Sequence, residues 1–241
     1  MSLERLTLKT PRENIGDGTE ATQDKFVKLE VIDKWNDKKY KVEKVGQRFS
    51  VVMLGETHNN AETQQKQIEL IRIIRPEFVL HEFAFTWMYD PKTKIFKPQS
   101  GKLHDQGPDM SDKEFKRDLA RLTIEADALN FKIIGCDLSQ EELIKFEQRL
   151  AQDYPKKYKY SPERGRVIKI RDPLYDFTAH SKELQPFREK RMMDTILECH
   201  QKSSKPIICI MGDGHARAIH RNKFLQRKSI DYIYVYQHGT K

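Results

Sequence analysis

Apolar residues along this chain follow two alternating rhythms. Short, nearly continuous apolar runs recur at residues 49–54, 78–80, 131–136, 206–211 and 230–236. Runs of this length, bounded by glycine, proline or charge, predict strands buried on both faces. Between them the period lengthens to that of a helix. Ile68, Ile71 and Ile74 recur at helical spacing over residues 61–75, and Pro76 ends the helix. Phe115, Leu119, Leu122, Ala126 and Leu129 mark a second amphipathic helix over residues 112–130. Ser139-Gln-Glu-Glu142 has the form of a capping box and opens a third. Residues 181–200 predict a long helix that Pro186 interrupts or delays, and a short helix follows Gly212. Strands alternating with helices predict an α/β fold, a mainly parallel central sheet covered by helices on both faces.

Two stretches break the rhythm. Residues 86–111 and 152–180 are long, rich in proline, glycine and lysine, and read as insertions of the kind that form lids or disordered segments. Residues 1–27 read as a polar N-terminal arm, and 28–241 as a single α/β domain. A chain of 241 residues is long enough to bury one substantial core. No apolar run approaches the roughly 20 residues of a membrane span. The N-terminal stretch has no apolar signal core, so the expectation is a cytoplasmic protein, and delivery into another cell is compatible with the same sequence. Cys136, Cys199 and Cys209 are far apart with no Cys-x-x-Cys pair, which predicts buried, reduced thiols.

The net charge of +8 changes the picture at one place. Residues 154–171 hold seven bases and one acid, with Tyr154, Tyr158 and Tyr160 interleaved among Lys156, Lys157 and Lys159. Three readings fit: a solvated surface loop, a lid that recruits an acidic substrate, or a grip on nucleic acid.

Chemistry gathers at the strand ends. In open α/β sheets ligands bind outside the carboxyl ends of the strands. The first run ends on Gly55-Glu56-Thr57-His58, the second on His81-Glu82, the third on Asp137, and the fourth on Gly212-Asp213-Gly214-His215. Four strand ends therefore deliver carboxylates and imidazoles to one rim. Asp137 and Asp213 also suit helix capping, and His81 also suits a packed, hydrogen-bonded histidine. Glu82 continues a buried strand and needs a partner there.

The order of these motifs resembles the TraB/ChaN/erythromycin-esterase-like superfamily. The resemblance rests on Gly55-Glu56-Thr57-His58, on Arg75-Pro76 leading into a strand that ends at Glu82, on Arg188-Glu-Lys-Arg-Met192, and on Gly212-Asp-Gly-His215. It spans most of the chain, from residue 51 to residue 236. What it implies is a shared scaffold with divergent uses. TIKI-like members are metal-dependent proteases, erythromycin esterases are hydrolases, and ChaN-like members bind haem as lipoproteins. This chain lacks a lipoprotein signal.

These readings converge on a hydrolase that activates water with histidine and glutamate to cleave an ester, amide or peptide bond in a small-molecule or peptide substrate. Glu56, His58, Glu82 and His215 are the candidate catalytic residues. Arg188, Asp213, Asp137 and His81 are the candidate substrate-binding residues. If a divalent metal such as zinc or manganese takes part, His58, Glu82 and His215 are its expected ligands. The alternative is a non-catalytic protein that binds haem, metal or an anionic ligand, including nucleic acid through residues 154–171. There is no His-Glu-x-x-His, no Gly-x-Ser-x-Gly and no Gly-x-x-x-x-Gly-Lys.

Overall fold

All five apolar runs form strands of one sheet in the computed structural model, which describes residues 25–37, 39–56, 60–99, 113–164, 166–171 and 183–237. The predicted arm at 1–27 falls almost wholly outside the described residues. In chain order the strands are β1 (Tyr40–Val45), β2 (Val51–Glu56), β3 (Phe78–His81), β4 (Trp87–Asp90), β5 (Ile95–Pro98), β6 (Lys132–Gly135), β7 (Tyr158–Ser161), β8 (Arg166–Lys169), β9 (Ile207–Gly212) and β10 (Tyr232–Gln237). The helices are α1 (Leu29–Asp33), α2 (Ala61–Ile74), α3 (Lys113–Leu129), α4 (Gln140–Asp153), α5 (Gln185–Lys202) and α6 (Asp213–Arg221).

The main sheet has eight strands in the order β1-β10-β2-β9-β3-β6-β4-β5. Its centre, β10-β2-β9-β3-β6, is parallel throughout. Its edges are antiparallel, β1 against β10 on one side and β4 against β6 on the other. The sheet is therefore mixed, with a parallel core. β9, late in the chain, lies between the early strands β2 and β3. Every residue of β2 and β9 is buried, as their apolar runs require.

Alternation along the strands sends side chains into two cores. Val52 and Leu54 of β2, Val79 of β3 and Ile210 of β9 pack with Leu70 and Ile71 of α2 and with Leu119 and Leu122 of α3. Val51 and Met53, Leu80, Cys209 and Met211 pack with Met192 and Ile196 of α5 and with Ala216 and Ile219 of α6. The three cysteines are free and buried, and burial pushes the Cys199 thiol up to about 12.

Local signals set several boundaries. Arg75 closes α2 in the left-handed region (φ 50°) just before Pro76. Ser139 and Glu142 form the capping box that opens α4. Pro186 stands in the first turn of α5, where its missing N–H is harmless, so that helix starts at Gln185 instead of being interrupted.

Both insertions contain strands that the apolar pattern does not reveal. In 86–111, β4 and β5 form a hairpin that extends the main sheet. In 152–180, β7 and β8 form a separate hairpin resting on α4 through Leu150, Tyr158 and Val167. Among the described residues no helix is long and apolar enough to cross a membrane.

Candidate active site

Each candidate side chain is placed by the strand it ends. Glu56 has the parity of Val52 and Leu54, so it faces α2 and α3. Its Oε2 accepts a hydrogen bond from Gln67 Nε2 of α2 at 2.8 Å. His81 has the parity of Val79 and faces the same way. Its Nδ1 accepts from the Phe83 N–H at 3.2 Å, which leaves the proton of the neutral ring on Nε2. This is the packed, hydrogen-bonded histidine the sequence allows, and it also lines a cavity.

That cavity, with about 310 Å³ of empty space including its mouth, lies between the β2 and β3 ends and helices α2 and α3. Its polar lining is Glu56, Gln64, Gln67, His81 and Arg121, with Ile210 beneath. Arg121 is exposed, and its Nη1 stands 3.4 Å from Gln64 Oε1.

Glu82 begins a short 3-10 turn (Glu82–Ala84) and is 2% exposed. Its Oε2 accepts the backbone N–H of Gly212 at 2.9 Å, which supplies the partner a buried carboxylate needs. The chain then turns at Phe85 (φ 47°) and passes over β6. A Cβ at Gly135 would stand 2.2 Å from the Phe85 carbonyl oxygen, so only glycine fits beneath this turn.

Asp137 does not cap α4; that task falls to Ser139. Asp137 instead accepts from Arg188 of α5, with Arg188 Nε 3.0 Å from Oδ1 and 2.9 Å from Oδ2, and Nη2 bonded to Oδ2 as well. The Asp137 side chain is buried and that of Arg188 largely so, which leaves the pair mostly desolvated. Burial alone would pull the guanidinium towards deprotonation. Asp137 and the nearby Glu82 outweigh it and hold the Arg188 pKa above the ordinary arginine value. The expected substrate clamp is thus a cation already committed to Asp137.

Asp213 does not cap α6 either; Gly212 holds the cap position without a side-chain bond. Asp213 accepts from the Tyr234 hydroxyl at 2.6 Å and pairs with Arg217 one turn along. Gly55 makes room for it, since a Cβ there would lie 2.6 Å from Asp213 Oδ1. Burial, reinforced by Asp213, pushes the Tyr234 phenol well above its usual range.

His215 lies in the first turn of α6, 6% exposed, with Nδ1 3.9 Å from Glu189 Oε1 of α5. Glu189 is 8% exposed. Its burial raises the carboxyl pKa, against the opposing pull of Arg188. Glu189 is the residue that strand-end reasoning misses. The signal was present, because it stands inside the Arg188-Glu-Lys-Arg-Met192 motif. Gln64, Gln67 and Arg121 were also missed, as polar residues on helices ordinarily read as solvated.

His58 lies outside the described residues. Among the described residues no group of three or more His, Cys, Asp or Glu side chains is placed to hold a metal ion. Of the three expected ligands, Glu82 and His215 are described, and each already faces a protein partner.

In the basic segment Tyr158 is core, with its hydroxyl donating to Glu183 at 2.8 Å. Tyr154 and Tyr160 are half exposed, and Lys156, Lys157 and Lys159 are exposed. No family model, no curated protein and no solved structure matches the chain.

Proposed function

We propose that the chain is a hydrolase of the TraB/ChaN/erythromycin-esterase-like type, cleaving an ester, amide or peptide bond at the carboxyl edge of its sheet. The observation that carries this reading is the buried His215–Glu189 pair. An imidazole oriented through Nδ1 by a carboxylate keeps Nε2 for proton transfer, the arrangement general-base catalysis requires. The 3.9 Å separation is longer than a hydrogen bond, and such contacts commonly tighten when substrate binds.

In the proposed reaction His215 Nε2 takes a proton from water as the water oxygen bonds to the carbonyl carbon. The same proton then passes to the leaving nitrogen or oxygen as the scissile bond breaks. Glu82 fixes the Gly212 backbone three residues before His215, and so positions the base. His58, two residues after Glu56 in the chain, is the second proposed proton carrier. A divalent metal, if bound, would polarise the carbonyl.

Replacing His215 by alanine should lower hydrolysis of a panel of activated esters and unstructured peptides by about 10²-fold or more. Glu189→Gln should lower it less and shift the acidic limb of the pH–rate profile. Native circular dichroism in both variants excludes unfolding. Full activity in His215→Ala would sink the proposal.

One observation favours a second reading, a binding protein for anionic ligands. The segment 154–160, anchored on α4 through Tyr158, presents Lys156, Lys157 and Lys159 and the half-exposed Tyr154 and Tyr160 to solvent. Salt-dependent retention on a polyanion column, lost on neutralising Lys156, Lys157 and Lys159, would support it.

A further inference from the structure

The proposed reaction lies on the main sheet and gives the β7–β8 hairpin no task. The hairpin is a two-stranded sheet of its own, and among the described residues no further strand pairs with either outer edge. Its ladder shows what those edges carry. The Ile170 N–H donates to the Lys157 carbonyl at 2.9 Å, so residues 157, 159 and 161 turn their backbone groups towards β8. The residues between them point outward. On the β8 side, Val167 gives its outward N–H to Glu147 of α4 at 3.2 Å. On the β7 side, the Tyr158 N–H goes to the Tyr154 carbonyl at 3.1 Å. Tyr160, exposed and one step further along, turns its N–H and carbonyl to the open side. This edge also carries charge that the chain does not neutralise. The exposed bases of the flanking helices each have an acid one turn away: Lys145 with Glu141, Arg149 with Asp153, Lys190 with Asp194 and Lys202 with Glu198. Lys156, Lys157 and Lys159 have no carboxylate partner among the described residues.

We propose that the outer edge of β7 takes up an acidic polypeptide segment as an added strand, with carboxylates at alternate positions opposite Lys157 and Lys159. Such a partner narrows the anionic-ligand reading and rests on it. Addition of a strand to an open edge is a recurring mode of peptide recognition, with affinity from the backbone and selectivity from alternate side chains. Lys157 and Lys159 stand two residues apart and so share one face. Opposite charges directly across a ladder stabilise the pairing and like charges oppose it. A lysine edge therefore rejects a second copy of itself and admits an acidic strand. The edge is presented as a fixed template, because Tyr158 packs with Leu150 and Val167 and its hydroxyl donates to Glu183. Nucleic acid fits this surface less well. Stacking of successive bases needs open ring faces. The Lys157 ammonium stands over one face of Tyr154, 5.5 Å from the ring centroid, and Tyr160 lies opposite Val167 on the face turned to α4.

The test uses the full chain and the fluorescence anisotropy of labelled probes: the peptides (Glu-Val)₄, (Glu-Pro)₄ and (Lys-Val)₄, and a deoxythymidine decamer. (Glu-Val)₄ should bind saturably. (Glu-Pro)₄ keeps the charge but lacks the N–H groups that would face Tyr160, and should bind roughly tenfold more weakly. Lys157→Glu combined with Lys159→Glu, both at exposed positions, should weaken (Glu-Val)₄ by roughly tenfold and create binding of (Lys-Val)₄. With ¹⁵N-tyrosine labelling, the Tyr160 amide, located by its loss in Tyr160→Phe, should exchange more slowly in the (Glu-Val)₄ complex. No binding of (Glu-Val)₄, equal binding of (Glu-Pro)₄, or undiminished binding in the charge-reversed variant would overturn the proposal. Binding of the decamer without the peptide would overturn it and leave the anionic-ligand reading standing; binding of neither would remove both. His215→Ala should bind (Glu-Val)₄ unchanged, which separates docking from hydrolysis.

Discussion

The two sides of the sheet edge handle charge differently. Towards α5 and α6, nearly every ionised group meets an opposite charge or a strong donor: Asp137 with Arg188, Asp213 with Arg217 and Tyr234, Glu82 with the Gly212 N–H, and Glu189 facing His215. Towards α2 and α3, Glu56 at the strand end accepts from a neutral amide, Glu125 pairs with the half-exposed Arg72, and among the described residues the cation lining the cavity, Arg121, is exposed. The first arrangement is closed and rigid, as suits groups that must hold a geometry during proton transfer. The second joins its strand-end acid to a neutral donor beside an open cavity. One rim thus carries a locked half and an open half, divided by the plane of the sheet.

If that contrast is real, removing a partner must cost more on the locked side. Arg188→Leu strands a buried Asp137 carboxylate and should destabilise by about 3–5 kcal/mol, whereas Gln67→Leu on the open side should cost about 1–3 kcal/mol. Urea denaturation of both variants checks this. Equal losses would erase the distinction. Asp137→Asn combined with Arg188→Met should recover most of the first loss, because no charge is then left unpaired.

A smaller effect probes how tightly the locked half is packed. Gly55→Ala drives a methyl group against Asp213 Oδ1 and should cost about 1–3 kcal/mol. Adding Asp213→Ala should return part of that loss, which a double-mutant cycle measures. Additive effects would mean that the strand and the acid are not coupled.

The smallest expected effect lies in pH. The Glu189 carboxyl is held above its usual value of 4.5 in the folded state, so the folded state binds the proton more tightly than the unfolded chain. Its contribution to stability is therefore fully present below about 4.5 and is lost as pH rises through the raised value. Glu189→Gln should flatten stability against pH in that window. An unchanged slope would show that the carboxyl is not desolvated.

The parallel core was legible because its strands are unbroken apolar runs ending in glycine or charge, and such runs have few other uses. β1, β4, β5, β7 and β8 were not legible. They are edge or hairpin strands of four to six residues carrying Lys, Glu or Pro, as in Tyr40-Lys-Val-Glu-Lys-Val45 and Ile95-Phe-Lys-Pro98. Such residues protect exposed edges from pairing with other chains, and so give them the composition of loops. In the candidate site, strand-end residues were legible by position: Glu56, His81, Glu82, Asp137 and Asp213 all stand at the edge of the sheet. Their partners were not, since which face of a charged helix turns inward depends on tertiary packing. Gln67 and Glu189 acquire meaning only once α2 and α5 are laid against the sheet.

The position of β9 between β2 and β3 has a consequence for biosynthesis. At roughly 5–20 residues per second, a ribosome needs on the order of ten seconds to pass from His81 to His215. Through that interval the nascent chain holds Glu56 and Glu82 on strands whose shared neighbour does not yet exist. The amide that fixes Glu82 and the imidazole that faces Glu189 arrive together, on one late segment. The parallel core therefore closes in a single step, and any truncation before β9 leaves β2 and β3 without the strand that joins them.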